Sequence, residues 1–239
     1  MIMEKIISDS FVALEDLIDL LNSSESTVRR DLDELESERK LHRVHGGAES
    51  IHSMHEELSN QEKSVKNSQE KMKIAEKASE FIFDKDVIFI DAGTTTEFMI
   101  DKLEYRNVTV VTNSIHHAAR LVDMNIKTII IGGVVKVTTD ASVGSVALSQ
   151  IQNMNFDKAF IGMNGIDDQF LTTPDMEEAV IKKAIVSNAK SSYILADASK
   201  IGQVSFINVA PIDNLTIITG SSTNPLLKKV KEKAKVIEV

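Results

Sequence analysis

Val87-Ile-Phe-Ile90, followed at once by Asp91-Ala-Gly-Thr-Thr-Thr-Glu97, decides how this chain is read. An apolar, β-branched run gives way to a glycine turn, and the turn to a helical pattern through Phe98, Met99, Ile100 and Leu103. The order is buried strand, tight bend, helix N-terminus. Gly93 allows a close approach to the backbone that a side chain would block. Thr94, Thr95 and Thr96 add hydroxyls beside the unpaired amides at the positive end of a helix dipole. Such a corner can cradle a phosphate. It is equally consistent with a threonine-capped helix that holds nothing, because the turn is neither a full GxGxxG nor a Walker A loop.

The same alternation repeats downstream. Strands are predicted at Val87–Ile90, Val108–Thr112, Thr128–Ile131, Lys158–Ile161, Ser192–Leu195, Leu215–Thr219 and Lys235–Glu238. Helices are predicted from near Asn67 to about Phe83, through Met72, Ala75, Ala78 and Ile82, and at Thr94–Lys102, Ile115–Val122, Met176–Ala189 and Pro225–Lys233. Repeated βα units imply a Rossmann-like, mostly parallel α/β sheet covered on both faces. Ligands of such sheets sit beyond the carboxyl ends of the strands. Those ends carry Asp91–Thr96, Thr112-Asn113-Ser114, Gly132-Gly133, Gly162 to Asp167 with Asn164, and Asp197 to Lys200. Amides, hydroxyls, carboxylates and a lysine gathered on one edge suit a polyhydroxylated anion. That concentration favours the cradle. Asp175 is placed to cap the next helix with Glu178 at capping-box spacing. Glu178 and Lys182 can form a plain i, i+4 ion pair, or the helix can close over a ligand with Lys182 reaching the site.

Residues 1–49 have a different pattern. A short helical fragment covers Met1–Ile7, and a second helix about Ala13–Leu21 has Leu14, Leu17, Ile18 and Leu21 on one face. Asn22-Ser23 makes a turn, and a third helix runs from Ser24 to about Glu36. Val28, Leu32 and Leu35 fall together and face the core, leaving Ser26 and Arg30 opposite, flanked by Thr27 and Arg29. Hydroxyls and arginines hold phosphates and read guanine edges in a major groove. Arg39 to Gly47 then alternates like a strand and ends in two glycines, a basic wing that includes Arg43 and His45. Any three-helix module could show a solvated helix and hairpin there. The six lysines and arginines of residues 1–49 face twelve carboxylates, so DNA binding must rest on a focused basic face.

Composition narrows the class. The 239 residues, 42% hydrophobic and 26% charged, fit a domain plus a small module. Without cysteine there is no disulfide framework and no thiolate metal site. No apolar run is long enough to span a bilayer and no cationic leader precedes an apolar stretch, so the chain is expected in the cytoplasm with no membrane partner. A net charge of −9 argues against non-specific nucleic-acid binding. His42/His45 and His52/His55 share an i, i+3 spacing. No carboxylate or cysteine set accompanies them, so solvated or DNA-facing histidines are the plainer reading, and no metal or cofactor is expected.

Ser24-Glu-Ser-Thr-Val-Arg-Arg-Asp-Leu-Asp-Glu-Leu-Glu36 with Leu41-His-Arg-Val-His-Gly-Gly-Ala48 closely resembles the N-terminal signature of DeoR-type bacterial transcriptional repressors. Asp91–Thr96, Val111–Ser114, Asp157–Gly162, Asn164–Asp167, Leu171–Asp175 and Ala196–Gly202 resemble that family's sensor half, with a fold like sugar-phosphate isomerases and CoA-transferases. The first helix is shorter than the family's usual one. The resemblance implies a winged helix-turn-helix over 1–49, a linker over 50–70 and a sugar-phosphate sensor over 71–239. It implies operator contacts from Ser24, Ser26, Thr27, Arg29, Arg30, Arg43 and His45. Phosphate would fall to Gly93 and Thr94–Thr96, and sugar hydroxyls to Asp91, Asn113, Asn164 and Asp167. Lys200 would lie near the ligand, and Asp175, Glu178 and Lys182 join the candidate set. The combination is most similar to the fructose-operon repressors, which implies fructose 1-phosphate as effector, with tagatose 6-phosphate second. Half-site reading implies a homodimer or homotetramer. The alternatives are a sugar-phosphate isomerase-like enzyme and a sensor with impaired DNA binding. The enzyme lacks support where Gln169-Phe170-Leu171 offers no lysine after the Asp-rich turn.

Overall fold

Apolar residues three and four apart build the N-terminal module. In a computed structural model, which describes residues 1–239 apart from 10, 39, 45, 51–53, 55–56 and 105–106, its elements follow in order. They are helix α1 (Ile2–Asp9), strand β1 (Phe11–Ala13), helices α2 (Leu14–Leu21) and α3 (Glu25–Ser37), and strands β2 (Leu41–Val44) and β3 (Gly47–Ser50). Ile6, Val12, Leu17, Val28, Leu32, Leu41 and Ala48 close into one core. α2 stops at Asn22, whose left-handed backbone turns the chain. Ser24 caps α3, its hydroxyl accepting from the Thr27 amide at 3.3 Å. The wing is larger than the sequence pattern indicates: β1 adds to the antiparallel β2–β3 hairpin in the order β1-β3-β2. Three residues are too few to show an alternation. A Cβ on Gly47 would collide with the Val12 carbonyl oxygen, so β1 and β3 approach as closely as they do only across a glycine.

The segment expected to be linker contains helix α4 (Asn60–Val65), followed by helix α5 (Ser68–Ser79). α4 has no apolar stripe, which hides it from periodicity. Its signal is the capping box, in which the Ser59 side chain accepts from the Glu62 amide and Glu62 accepts from the Ser59 amide.

The remaining elements are β4 (Val87–Ile90), α6 (Thr94–Ile100) with a further 3-10 turn to Leu103, β5 (Thr109–Thr112), α7 (Ile115–Asp123), β6 (Lys127–Ile130), β7 (Val134–Val135) and β8 (Ser142–Val143). There follow α8 (Gly144–Gln152), β9 (Phe156–Gly162), β10 (Gly165–Ile166), β11 (Phe170–Thr173), α9 (Met176–Asn188) and β12 (Ala189–Leu195). The chain ends with β13 (Ile207–Pro211), β14 (Thr216–Thr219), α10 (Leu226–Lys233) and β15 (Lys235–Glu238). Seven strands form one sheet in the order β15-β14-β12-β9-β4-β5-β6, every neighbouring pair parallel. The expected Rossmann-like architecture is what forms. Successive residues serve opposite faces. Ile88, Ile90, Val110, Phe160 and Leu195 pack with Ile74 and Ala78 of α5 and Met99 of α6. Phe89, Val111, Ile161 and Ile194 pack with Ala147 of α8, Ile181 and Ile185 of α9 and Val230 of α10.

Sequence periodicity missed α8 and two small antiparallel pieces, β7–β8 and β10-β11-β13. The two-residue strands β7, β8 and β10 leave no period to detect. The main sheet's connectivity matters most for the site. From β4 the chain winds out through β5 to β6, then returns to β9 on the other side of β4 and winds the opposite way. The order reverses between β4 and β9, and the helices that follow these two strands diverge there, leaving a crevice at the carboxyl edge.

Candidate ligand pocket and nucleic-acid interface

The crevice is a pocket walled by the segments that follow β4 (Ala92–Thr95), β9 (Gly162–Asn164) and β12 (Ala196, Asp197, Ser199, Lys200), by Glu178 and Lys182 of α9, and by α4 and α5. Among the described residues its lining holds five lysines (Lys63, Lys66, Lys71, Lys182 and Lys200) but only two carboxylates (Glu178 and Asp197). Placing more ammonium than carboxylate in a half-dry site costs free energy that an incoming anion would offset.

Each charge has a local cause. Lys182 donates to the Asp91 carboxylate and, at 3.1 Å, to the Gly162 carbonyl. Burial opposes its charge, but Asp91 and Glu178 outweigh that and hold its ammonium above the usual lysine value. Glu178 accepts from the Thr139 hydroxyl at 2.6 Å and from Lys136 at 3.1 Å. Burial works against its carboxylate, and Lys182 and Lys136 more than compensate, keeping it below the usual range. Asp197 is treated likewise: burial opposes, while Lys200, Ser199 and Asn67 prevail and lower it. Lys71 is the exception. Lys71 is 3% exposed, and its ammonium donates to Thr94 Oγ1 at 3.0 Å and to the Lys63 carbonyl. Burial pushes it down to about 8; Asp197 resists, and Lys200 and Lys63 reinforce the fall. Lys63 is also lowered by burial, against the more distant pull of Glu178 and Glu57.

Of the sequence-predicted ligand residues, Gly93, Thr94, Thr95, Asn164, Glu178, Lys182 and Lys200 line the pocket. Five do not. Asp91 lies behind the wall, 1% exposed, as the counter-charge of Lys182. The Thr96 hydroxyl donates to the Asp91 and Gly93 carbonyls at 2.7 and 2.8 Å and ties the bend together. The Asn113 side-chain oxygen accepts from the Ala92 amide at 2.9 Å, joining the ends of β4 and β5. Asp167 accepts from the amides of Gln169 and Phe170 at 2.6 Å and shapes the β10–β11 turn. Asp175 caps α9 through the Glu178 amide at 2.8 Å and pairs with Lys136 at 2.8 Å. Gly93 is also not what the bend requires: its φ of 171° is extended backbone, and a Cβ there would meet only Thr96 Oγ1 at 3.3 Å. Gly132-Gly133 is absent from the wall. Lys63, Lys66 and Lys71 were missed. The available signal was Lys71, which stands three, four and seven residues before Ile74, Ala75 and Ala78 on the buried face of α5.

On α3, Ser26, Arg29 and Arg30 are exposed and Thr27 is half-buried, opposite the buried Val28 and Leu32. Arg29 is held by Glu25 at 2.7–2.8 Å, and Arg43 on β2 pairs with Asp33. Arg30 has no ion pair or hydrogen bond from its side chain among the described residues. Ser24 is occupied as the cap, its hydroxyl 2.9 Å from those of Ser26 and Thr27. His45 lies outside the described residues, as do Arg39, His52 and His55. Among the described residues no helix is long and apolar enough to cross a membrane.

Residues 1–54 match the DeoR-like helix-turn-helix domain, and residues 66–221 match the DeoR C terminal sensor domain. The chain is 41% identical over 238 residues to the uncharacterized HTH-type transcriptional regulator FruR of Bacillus subtilis (strain 168), covering 99% of this chain and 95% of that one. It is 38% identical to the HTH-type transcriptional regulator IolR of the same organism, covering 91% and 88%. It is 32% identical to a lactose phosphotransferase system repressor of Staphylococcus epidermidis, covering 92% and 89%. Among solved structures, ribose 5-phosphate isomerase A of Methanocaldococcus jannaschii superposes with a TM-score of 0.43 at 20% identity over 56% of this chain and 55% of that one. Two domain matches that together take in both the three-helix module and the lysine-lined sheet, with relatives aligned from end to end, establish that the chain belongs to the DeoR family of transcriptional regulators.

Proposed function

We propose that this protein represses a sugar-utilisation operon and that a phosphorylated sugar, bound in the crevice between β4 and β9, weakens its hold on operator DNA. The excess of lysines over carboxylates at the switch point carries this reading. A sugar phosphate supplies both needs of the wall, a dianion for Lys71 and its neighbours and hydroxyls for Asn164 and Glu178. Thr94 and Thr95 present hydroxyls and first-turn amides to the same group. Fructose 1-phosphate is the first candidate, from the resemblance to fructose-operon repressors, and tagatose 6-phosphate the second, in line with the name of the staphylococcal relative.

The module supplies the output. Ser26, Thr27, Arg29 and Arg30 on α3 enter the major groove, while Arg43 and His45 on the wing lie over phosphates. One such module covers a half-site, so two copies act together, as a homodimer or homotetramer. The ligand must favour one arrangement of the paired chains over the other, and can shift operator affinity only by that difference. Fluorescence anisotropy with an operator duplex, titrated with and without fructose 1-phosphate and tagatose 6-phosphate, checks this. Operator affinity is expected to fall at least about tenfold with the matching sugar phosphate, and to hold steady with unphosphorylated fructose. Unchanged affinity with both phosphates would overturn the switch.

A further inference from the structure

A ligand held inside the sensor domain must be felt by the DNA module. Helix α4 belongs to neither half, since it stands between the last wing strand and α5. It is nevertheless moored to the pocket. The Asn60 amide donates to the Thr138 carbonyl at 2.9 Å, and Asn60 Nδ2 to the Thr139 carbonyl at 2.7 Å. At the other end the Lys63 carbonyl accepts from the buried Lys71 ammonium, which also holds Thr94. One cation therefore joins the linker helix to the threonine bend.

The Lys63 side chain points the same way. It lines the pocket, yet its ammonium makes no hydrogen bond or ion pair among the described residues. A solvated surface lysine would not be lowered by burial as this one is. It shares this partly dry space with Lys71, Lys182 and Lys200, while Glu178 and Glu57 attract it from a distance. An anion among these ammoniums gives Lys63 a direct partner and fixes the seat of α4.

Resting on the sugar-phosphate reading, we propose that α4 is part of the effector site: Lys63 contacts the ligand's anionic group, and Lys71 makes the seating of α4 depend on that group's presence. The pocket thus reports directly to the segment that leads to the wing. Only nine residues separate Asn60 from Ser50 at the end of β3. No relay through the sheet is needed.

Hydrogen exchange and calorimetry on the full chain test this, with fructose 1-phosphate, tagatose 6-phosphate, inorganic phosphate and fructose as probes. The sugar phosphate that binds is expected to slow exchange of the amides of residues 61–66 about tenfold or more. Inorganic phosphate slows them partly, and fructose leaves them unchanged. Lys63→Ala is expected to bind the sugar phosphate about tenfold more weakly and to lose the protection. Its fructose affinity and its unliganded thermal midpoint stay as in the parent chain, which a merely structural role of Lys63 would not allow. Lys63→Arg retains most of the binding. If a sugar phosphate binds but α4 exchange does not change, or Lys63→Ala binds it normally, the inference fails and the effector reading stands. If neither sugar phosphate nor inorganic phosphate binds, both fall.

Discussion

Lys71 occupies a position that helical spacing assigns to the core, and its three neighbours on that face, Ile74, Ala75 and Ala78, are fully buried. A lysine there would make the proposed ligand site pH-dependent. The free protein holds the Lys71 proton below about pH 8 and releases it above. A phosphate dianion favours the protonated form, so its affinity is at full strength below about 8 and declines as pH rises. Calorimetry from pH 7 to 9.5 should show fructose 1-phosphate weakening by up to about tenfold per unit above 8. Lys71→Arg should flatten that profile. Lys71→Met should bind about 10- to 100-fold more weakly below about pH 8, the worth of one charged hydrogen bond, with the gap closing as the parent loses its Lys71 proton at higher pH. A profile flat to 9.5 in the parent chain would remove Lys71 from the site. The neighbouring His117 sits at the opposite extreme. Burial pushes it down to about 4, and it stays neutral beneath the bend throughout that range.

Individual side chains were the hardest thing to read from the sequence, and the reason is physical. Asp91, Asn113, Thr96, Asp167 and Asp175 have the types that contact sugars, and they gather at strand ends as ligand residues do. The backbone amides and carbonyls of those same bends also need partners, and these five satisfy them or neighbouring ammoniums. Residue type does not distinguish a carboxylate that holds a ligand from one that holds a turn. Lysines on a polar linker gave no warning, because nothing in Lys63-Ser-Val-Lys66 says which way it folds.

At the level of elements the apolar runs located every strand of the main sheet, although β9 and β12 begin two and three residues before their expected starts. Val87–Ile90, Thr109–Thr112 and Thr216–Thr219 lie within a residue of their expected bounds. Pieces of two or three residues were not legible, and β1 is the consequential one. Its pairing through Gly47 couples the wing to the helices of the DNA module. Gly47→Ala should therefore cost the module about 1–3 kcal/mol by overpacking. Operator affinity is expected to drop while calorimetric binding of the sugar phosphate stays unchanged. Loss of both together would show that the halves do not fold separately, and full operator affinity would show that β1 is dispensable.

For the whole molecule, charge sets the terms of DNA recognition. A chain of net charge −9 cannot be drawn to DNA broadly, so a few side chains must do the holding. Arg29 is already engaged by Glu25, whereas Arg30 has no ion pair among the described residues. Plotting log K against log salt should give a slope that Arg30→Ala makes shallower by about 1 per module. Arg29→Ala should alter it less, and equal effects would mean that the Glu25 pair dissolves on the duplex.

The reversal of strand order between β4 and β9 bears on how such a protein can diversify. The rim is contributed by stretches that follow three separate strands, plus a fourth wall from outside the sheet. A changed side chain on any of these can alter which sugar is accepted while the alternating interior keeps its register. Preference for one carbohydrate over another is thereby free to drift without endangering the scaffold beneath.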